Sequence, residues 1–155
     1  MLTTIRMDSN RITIQDHFMF GPKIKILPEQ IFYQNEHTVA FVNLRPVVPG
    51  HVLVCPRKVA PLIKDLEQIE LFEVMKTTQL VSTMLSVFYN TENIHYTIQD
   101  GPNAGQTVSQ VHMHILPGID QEILKAEIYN KARTLEDMQQ EAVQYKEQLQ
   151  LLSDI

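Results

Sequence analysis

Two histidines, His112 and His114, are separated by one residue in the segment Gln110-Val-His-Met-His-Ile-Leu-Pro117. The pattern around them predicts a strand over about residues 108–116, and successive side chains of a strand point to opposite faces. The aliphatic residues at 111, 113 and 115 would then face the core, while Gln110, His112 and His114 share the other face. We therefore expect two imidazoles and an amide in a row, presented to a bound molecule.

Three interpretations of this row are possible from the residues alone. The first is an ordinary polar sheet face open to water. The second is a metal site, which needs three or four ligands; a third ligand such as His51 would have to come from elsewhere in the chain. The third is an imidazole nucleophile with acid–base partners, since neutral histidine is available near pH 7.

The segment from Gln99 to Val108 favours the third interpretation. Its glycines allow backbone amides to turn toward an anion without an intervening side chain. Gln106 and Thr107 add side-chain donors, and the segment leads directly into the histidines. It is not the phosphate loop of common nucleoside triphosphatases, because no Gly-Lys-Ser/Thr follows. We therefore expect this turn to place anion donors beside candidate histidine nucleophiles.

Composition limits the class of protein. The 155 residues are 44% hydrophobic and 20% charged, with a net charge of −5, which fits one soluble domain and gives no support for nucleic-acid binding. The single cysteine, Cys55, suits a reducing compartment. With no apolar run of about 20 residues, we expect no membrane partner and a cytoplasmic or nuclear location. Residues 1–16 are predicted to be a flexible tail and 17–155 a single domain.

The remaining pattern predicts an α+β protein with short, mostly antiparallel strands and segregated helices. A helix is predicted at about 65–89, capped by Asp65 and ended by Asn90. A second helix is predicted at about 134–152, starting at Thr134, and residues 118–133 are expected to be mobile. Four strands besides the histidine strand are predicted, at Ile31–Tyr33, Val39–Asn43, His51–Cys55 and His95–Asp100.

Three segments resemble a known family: Phe41-Val-Asn-x-x-Pro-Val-Val-Pro-Gly-His-Val-Leu-Val54, Gln99-Asp-Gly-Pro-x-Ala-Gly-Gln-Thr-Val108 and Val111-His-Met-His-Ile-Leu-Pro117. They resemble, in the same order, the fragile histidine triad branch of the histidine triad (HIT) superfamily. The resemblance implies a five-stranded antiparallel sheet with two helices, paired into a homodimer. It also implies hydrolysis of diadenosine triphosphate-like dinucleotides to a nucleoside monophosphate and a diphosphate, with Mg or Mn bound to the substrate and no tightly bound cofactor.

The resemblance also implies roles for individual residues. His112 matches the histidine that becomes nucleotidylated, His114 a phosphate-contacting partner, and His51 a further histidine of the site. Asn43 matches a ribose-binding residue, and phosphate contacts are implied for Gln99, Gly105, Gln106, Thr107 and Val108. Phe20, Phe41 and Leu53 match positions that enclose the base, although each equally fits an ordinary core. Tyr129 matches a tyrosine of a mobile loop.

The sequence departs from the family at two positions. Gln110 stands where the family has the first histidine of its triad, and glutamine forms hydrogen bonds but does not titrate. Lys23 stands near a position where a relative has a ligand-contacting histidine. Gln110 leaves open a weakly active or inactive nucleotide-sensing protein, and a purine-nucleoside phosphoramidase is a further alternative, although its branch usually has another loop before the triad.

Overall fold

In the computed structural model, residues 17–119, 122 and 132–154 are described. An antiparallel sheet of five strands, in the order β3-β4-β5-β7-β6, forms the centre, and β1 and β2 form a separate hairpin. The predicted five-stranded antiparallel sheet with two helices is confirmed. The strands are β1 (Phe18–Phe20), β2 (Ile24–Ile26), β3 (Ile31–Gln34), β4 (Thr38–Val42), β5 (Val52–Pro56), β6 (Ile94–Thr97) and β7 (Met113–Pro117), and the helices are α1 (Gln68–Tyr89) and α2 (Leu135–Ser153).

Both faces of the sheet are covered, because alternate residues of its central strands join different cores. In β5, Val52 and Val54 pack with residues of α1 and α2, including Leu85 and Tyr145. The intervening Leu53 and Cys55 pack on the other face with the β1–β2 hairpin. This double burial explains why β4 and β5 are continuously buried strands, as is typical of a strand with two covered faces.

Helix α1 begins three residues later than predicted. Ile63–Asp65 forms a short 3₁₀ turn, and the Asp65 carboxylate accepts a hydrogen bond from the Leu62 amide rather than capping α1. Glu67 is the N-cap instead. The predicted end is confirmed, since Asn90 is the C-cap in the left-handed conformation with φ of 49°.

The strand that carries the histidines is shorter than predicted. Residues 108–110 bend, with the Gln110 amide donating to the Val108 carbonyl at 2.8 Å. The Val111 amide donates to the Ala60 carbonyl at 2.7 Å, so β7 starts only at Met113. His112 therefore lies just ahead of the ladder and His114 within it.

The second helix starts where the sequence predicts, with Thr134 as N-cap and Asp137 completing a capping box. In the described part of the chain, neither helix has the length and apolar character needed to cross a bilayer. The predicted tail at 1–16, and Tyr129 with most of the predicted mobile segment, lie outside the described residues.

Candidate active site

Three imidazoles lie together on the face of the sheet that the β1–β2 hairpin covers. His51 precedes β5, His112 precedes β7, and His114 is paired across the ladder with Leu53 of β5. Nε2 of His51 is 2.9 Å from Nδ1 of His114, and the rings of His112 and His114 have centroids 4.7 Å apart. The structure thus brings His51 together with His112 and His114, which are separated from each other by one residue.

The histidine row is more enclosed than the side chains of an exposed strand face. His51 and His112 are each 4% exposed, and only His114 is partly exposed. The cause is the β1–β2 hairpin, whose Phe20 places its ring edge-on to His112 with centroids 4.9 Å apart. This burial also rules out the interpretation of an ordinary polar face open to water.

Hydrogen bonds define which nitrogen of His51 and of His114 carries the proton. The Val47 amide can only donate, and it lies 3.0 Å from Nδ1 of His51, so that nitrogen is an acceptor. In the neutral ring Nε2 then carries the hydrogen and donates it to Nδ1 of His114. Neutral His114 consequently carries its hydrogen on Nε2, a buried atom that has no partner among the described residues.

The opposite tautomer is fixed at His112. Its Nδ1 lies 2.7 Å from the carbonyl oxygen of Gln110, which can only accept a hydrogen bond, so Nδ1 carries the hydrogen. Nε2 of His112 is left with a free lone pair. The cluster therefore contains one imidazole ready to attack an electrophile and, next to it, one imidazole with an unused hydrogen.

All three rings are neutral at pH 7 because burial disfavours their charged forms. Burial, followed by the charges of Arg133 and His112, lowers the pKa of His51 to about 4. Burial and the neighbouring His112 and His51 lower the pKa of His114 to about 3. Burial also lowers the pKa of His112, against a smaller raising effect of its bond to the Gln110 carbonyl.

Gln110, predicted as a member of the catalytic row, has its side chain in another role. It is 1% exposed, and its Oε1 accepts a hydrogen bond from the Ala60 amide at 3.1 Å. Its Nε2 donates to the carbonyls of Pro56 at 3.2 Å and Lys58 at 2.9 Å. Both amide hydrogens are thus committed to holding residues 56–60 against the histidine segment, while the backbone carbonyl of Gln110 orients His112.

The glycine turn lies beside the cluster but supplies fewer free donors than predicted. The Gly105 amide donates to Pro102 at 3.0 Å and the Gln106 amide to Gly101 at 3.2 Å, because the turn closes as a short 3₁₀ helix. Within the described part of the chain, the amides of Thr107 and Val108 make no such bond. These two amides and the exposed Thr107 hydroxyl are the turn's available donors.

Two side chains of the turn contact their own surroundings. The Gln106 side chain donates to the Pro61 carbonyl at 2.8 Å and to the Gln110 carbonyl at 3.4 Å, which links the turn to the anchor of His112. A methyl group on Gly105 would lie 2.4 Å from Nε2 of Gln99, so Gln99 packs directly on the turn. The φ of Gly105, +91°, also favours glycine at this position.

The remaining predicted residues divide into two groups. The Nδ2 atom of Asn43 lies 3.2 Å from Nε2 of His51, and Phe20, Phe41 and Leu53 are buried in the hairpin-side core next to the histidines. Lys23 is exposed in the β1–β2 turn and makes no hydrogen bond or ion pair within the described residues. The structure thus joins Asn43 to the histidines and gives Lys23 no contact with them.

Sequence reasoning missed Arg133, which lies just ahead of α2. Its Nε and Nη2 atoms donate to the Asn43 carbonyl at 3.1 and 2.6 Å, and it forms an ion pair with Glu141. Ninety positions separate Arg133 from Asn43, and no local motif connects them. Only its position directly before the Thr134 cap marks it in the sequence.

The fold and this cluster agree with a comparison to known families. The HIT domain matches residues 25–121, which is more than half of the chain, and it contains His51, His112 and His114. The chain belongs to the HIT domain family. The predicted membership of the HIT superfamily is thereby confirmed.

Two curated relatives and one solved structure are especially similar. The bifunctional bis(5'-adenosyl)-triphosphatase/adenylylsulfatase FHIT of Arabidopsis thaliana is 44% identical over 117 residues, which cover 76% of this chain and 64% of that protein. The bis(5'-adenosyl)-triphosphatase of Dictyostelium discoideum is 40% identical over 130 residues, covering 79% of this chain and 87% of that protein. The diadenosine triphosphate hydrolase of Plasmodium falciparum superposes with a TM-score of 0.78 at 25% identity, covering 97% of this chain and 90% of that chain.

Proposed function

We propose that this protein hydrolyses dinucleoside polyphosphates of the diadenosine triphosphate type through a covalent intermediate on His112. The observation that carries the proposal is the 2.7 Å contact between Nδ1 of His112 and the Gln110 carbonyl, which leaves Nε2 unprotonated in a neutral ring. The activities named for the two curated relatives support the choice of substrate.

In the first step, the lone pair on Nε2 of His112 attacks the α-phosphorus of the dinucleotide. A bond forms from nitrogen to phosphorus, and the bond from that phosphorus to the bridging oxygen breaks, so a nucleoside diphosphate leaves. The ring becomes a cation, which the bond from Nδ1 to the Gln110 carbonyl stabilises. The hydrogen on Nε2 of His114, which has no partner among the described residues, is the donor we assign to a phosphate oxygen.

In the second step, water attacks the same phosphorus, the bond to His112 breaks, and the proton that the water loses passes to solvent. The products are a nucleoside monophosphate and neutral His112, so the enzyme is regenerated without a net change in its protons. His51 keeps His114 in the required tautomer, because its Nε2 hydrogen occupies Nδ1 of His114. The Thr107 and Val108 amides are the backbone donors we assign to the substrate phosphates.

A divalent cation, Mg or Mn, is proposed only as part of the substrate. Among the described residues, no group of three or more histidine, cysteine or acidic side chains is arranged to hold a metal ion. Mg²⁺ prefers oxygen ligands, whereas the groups of the cluster are imidazoles and amides. The phosphates of the dinucleotide supply suitable oxygens, and no step above uses a protein-bound metal.

We also propose a homodimer. Strand β6 forms an edge of the sheet, and Tyr96 on it is 45% exposed; an unpaired edge is a surface that a second copy can extend. Helix α2 packs against β3 and β4 near the opposite edge. Light scattering of the purified protein at several concentrations checks the mass, and a monomer at every concentration would contradict the dimer.

The hydrolase is tested by turnover of a panel of dinucleotides, with and without Mg²⁺, and of adenosine phosphoramidate as the rival substrate. His112→Ala is expected to abolish turnover and to leave nucleotide binding largely intact, because only the attacking atom is lost. His37→Ala, in the turn between β3 and β4, is the matched control. Unchanged turnover by His112→Ala contradicts the proposal, and preferred turnover of the phosphoramidate favours the other branch.

The alternative of a sensing protein without catalysis rested on Gln110. Its side chain binds three backbone groups of residues 56–60, while the anchor of His112 is its backbone, which any residue supplies. The substitution therefore gives no reason to expect loss of the reaction, and the nucleophile, its tautomer and its neighbouring donor are all present in the cluster.

A further inference from the structure

Arg133 lies outside the stretch matched by the HIT domain, which ends at residue 121, yet its contacts reach the histidine cluster. Its guanidinium donates twice to the Asn43 carbonyl, at 3.1 and 2.6 Å, and its own amide donates to the Leu44 carbonyl at 3.0 Å. Three hydrogen bonds thus fasten the start of α2 to the end of β4, at the residue next to the His51 ring.

Asn43 connects Arg133 to the His51 ring. Its Oδ1 accepts a hydrogen bond from the Arg45 amide at 3.0 Å, which fixes the side chain, and its Nδ2 donates toward Nδ1 of His51, the acceptor nitrogen of that ring, at 3.4 Å. His51 in turn contacts His114 at 2.9 Å. A chain of polar contacts therefore runs from Arg133 to His114, whose Nε2 has no partner among the described residues.

The guanidinium is itself held in place from behind. Glu141 of α2 forms an ion pair with Arg133, and the other oxygen of that carboxylate accepts a hydrogen bond from the Tyr145 hydroxyl at 2.8 Å. The Tyr145 hydroxyl is also 2.7 Å from that of Tyr89 at the end of α1. With side chains 20% and 13% exposed, Arg133 and Glu141 form a partly buried pair whose field water screens only in part.

We propose that Arg133 is a positioning residue of the active site, which holds Asn43 and His51 in place and adds a fixed positive charge near the His51 ring. Helix α2 is then a functional part of the site through its Glu141 counterion. The inference rests on the proposed function for its kinetic consequences, but the state of His51 can be measured without any substrate.

The groups that face His51 come from two elements. His112 and His114 approach from the β7 segment, and Arg133 approaches from the segment ahead of α2; no carboxylate of the described residues bonds to the ring. A neighbouring positive charge disfavours the protonated imidazole, and Arg133 lowers the pKa of His51 in this way. We therefore expect removal of the Arg133 charge to raise the pKa of His51, and removal of the opposing Glu141 charge to lower it.

Three variants separate charge from geometry. Arg133→Gln loses both the charge and the two guanidinium hydrogen bonds to Asn43. Arg133→Lys keeps the charge and loses the planar guanidinium that forms both bonds. Glu141→Gln leaves the arginine charge uncompensated. Arg57→Gln is the matched control, since the Arg57 guanidinium also donates to a backbone carbonyl, that of Asn35 at 2.8 Å. The first measurement is the pH titration of the His51 ring by NMR in the full chain without nucleotide.

We expect the His51 transition to move to higher pH in Arg133→Gln, to stay in place in Arg133→Lys and the control, and to move to lower pH in Glu141→Gln. In dinucleotide hydrolysis, the acid limb of the rate profile should move in the same directions. Both Arg133 variants should lose about tenfold or more in kcat/KM, chiefly through KM, because Asn43 is displaced.

An unchanged His51 transition in Arg133→Gln would overturn the inference, as would equal changes in Arg133→Gln and Arg57→Gln. If Arg133→Gln does not fold, Glu141→Gln decides: a transition that stays in place or rises overturns the inference. A wild-type protein that hydrolyses no dinucleotide would instead contradict the proposed function, and the NMR result would still test the role of Arg133.

Discussion

Replacing Gln110 with Ala removes three hydrogen bonds from a side chain that is 1% exposed. At about 1 kcal/mol for each bond, the loss in unfolding free energy is about 3 kcal/mol. For a chain of 155 residues, this lowers the Tm by roughly 6–12 °C, at roughly 2–4 °C per kcal/mol. The unfolding free energy of Gln110→His should lie between those of the wild type and Gln110→Ala, because a neutral imidazole offers one donor where glutamine uses two.

The assay joins urea unfolding with single-turnover labelling of His112, both well below the Tm. Gln110→Ala keeps the backbone carbonyl that orients His112, so the labelled adduct should still form. Gln30→Ala is the matched control, a buried glutamine whose amide bonds Leu27 and Met138 instead. Wild-type stability in Gln110→Ala, or lost labelling without lost stability, would refute the reasoning. A new limb in the pH–rate profile of Gln110→His would show that this position acts in the chemistry.

Two further predictions concern the burial of the cluster. The pKa of His51 is about 4 in the folded chain and about 6.5 when unfolded, so the unfolded state binds more protons between these values and stability falls as pH falls through that window. His51 should therefore cost the folded protein about 3 kcal/mol of unfolding free energy between pH 7 and pH 4. The measurement is the unfolding free energy as a function of pH, which should fall less steeply in His51→Asn than in the wild type. Equal slopes would contradict the prediction. Phe20→Ala should lower the unfolding free energy by about 3 kcal/mol, which chemical denaturation measures. It should also raise the pKa of His112 by admitting water to the ring, which NMR titration measures. An unchanged His112 titration would show that Phe20 does not cause the burial.

The main parts of the fold could be predicted from the sequence because they depend on local patterns. Alternation and turn residues predict β3 to β6 to within a few positions, and the left-handed Asn90 and the Thr134 cap mark helix ends, whereas the β1–β2 hairpin is not predicted. The predicted start of β7 is too early because a hydrogen bond between Val111 and Ala60, which are 51 positions apart, replaces the ladder there. No pattern confined to the histidine segment contains that information.

The candidate site shows the same division. His112 and His114 are evident from their spacing, and Asn43 from the resemblance to a family. The burial of His112 by Phe20 and the commitment of the Gln110 amide to residues 56–60 depend on how distant segments pack. Arg133 was missed for the same reason, since its partner Asn43 is distant in sequence and the contact is to a backbone carbonyl, which leaves no mark in the residue types.

The most direct test of a histidine nucleophile is a rapid-quench experiment with excess enzyme and diadenosine triphosphate labelled on the α-phosphate. We predict an acid-labile nucleotidyl adduct that appears before the monophosphate product and maps by mass spectrometry to His112. The adduct should be absent from His112→Ala and present in His37→Ala. Product formed at the full wild-type rate without any protein-bound label, or with the label on another residue, would contradict the assignment.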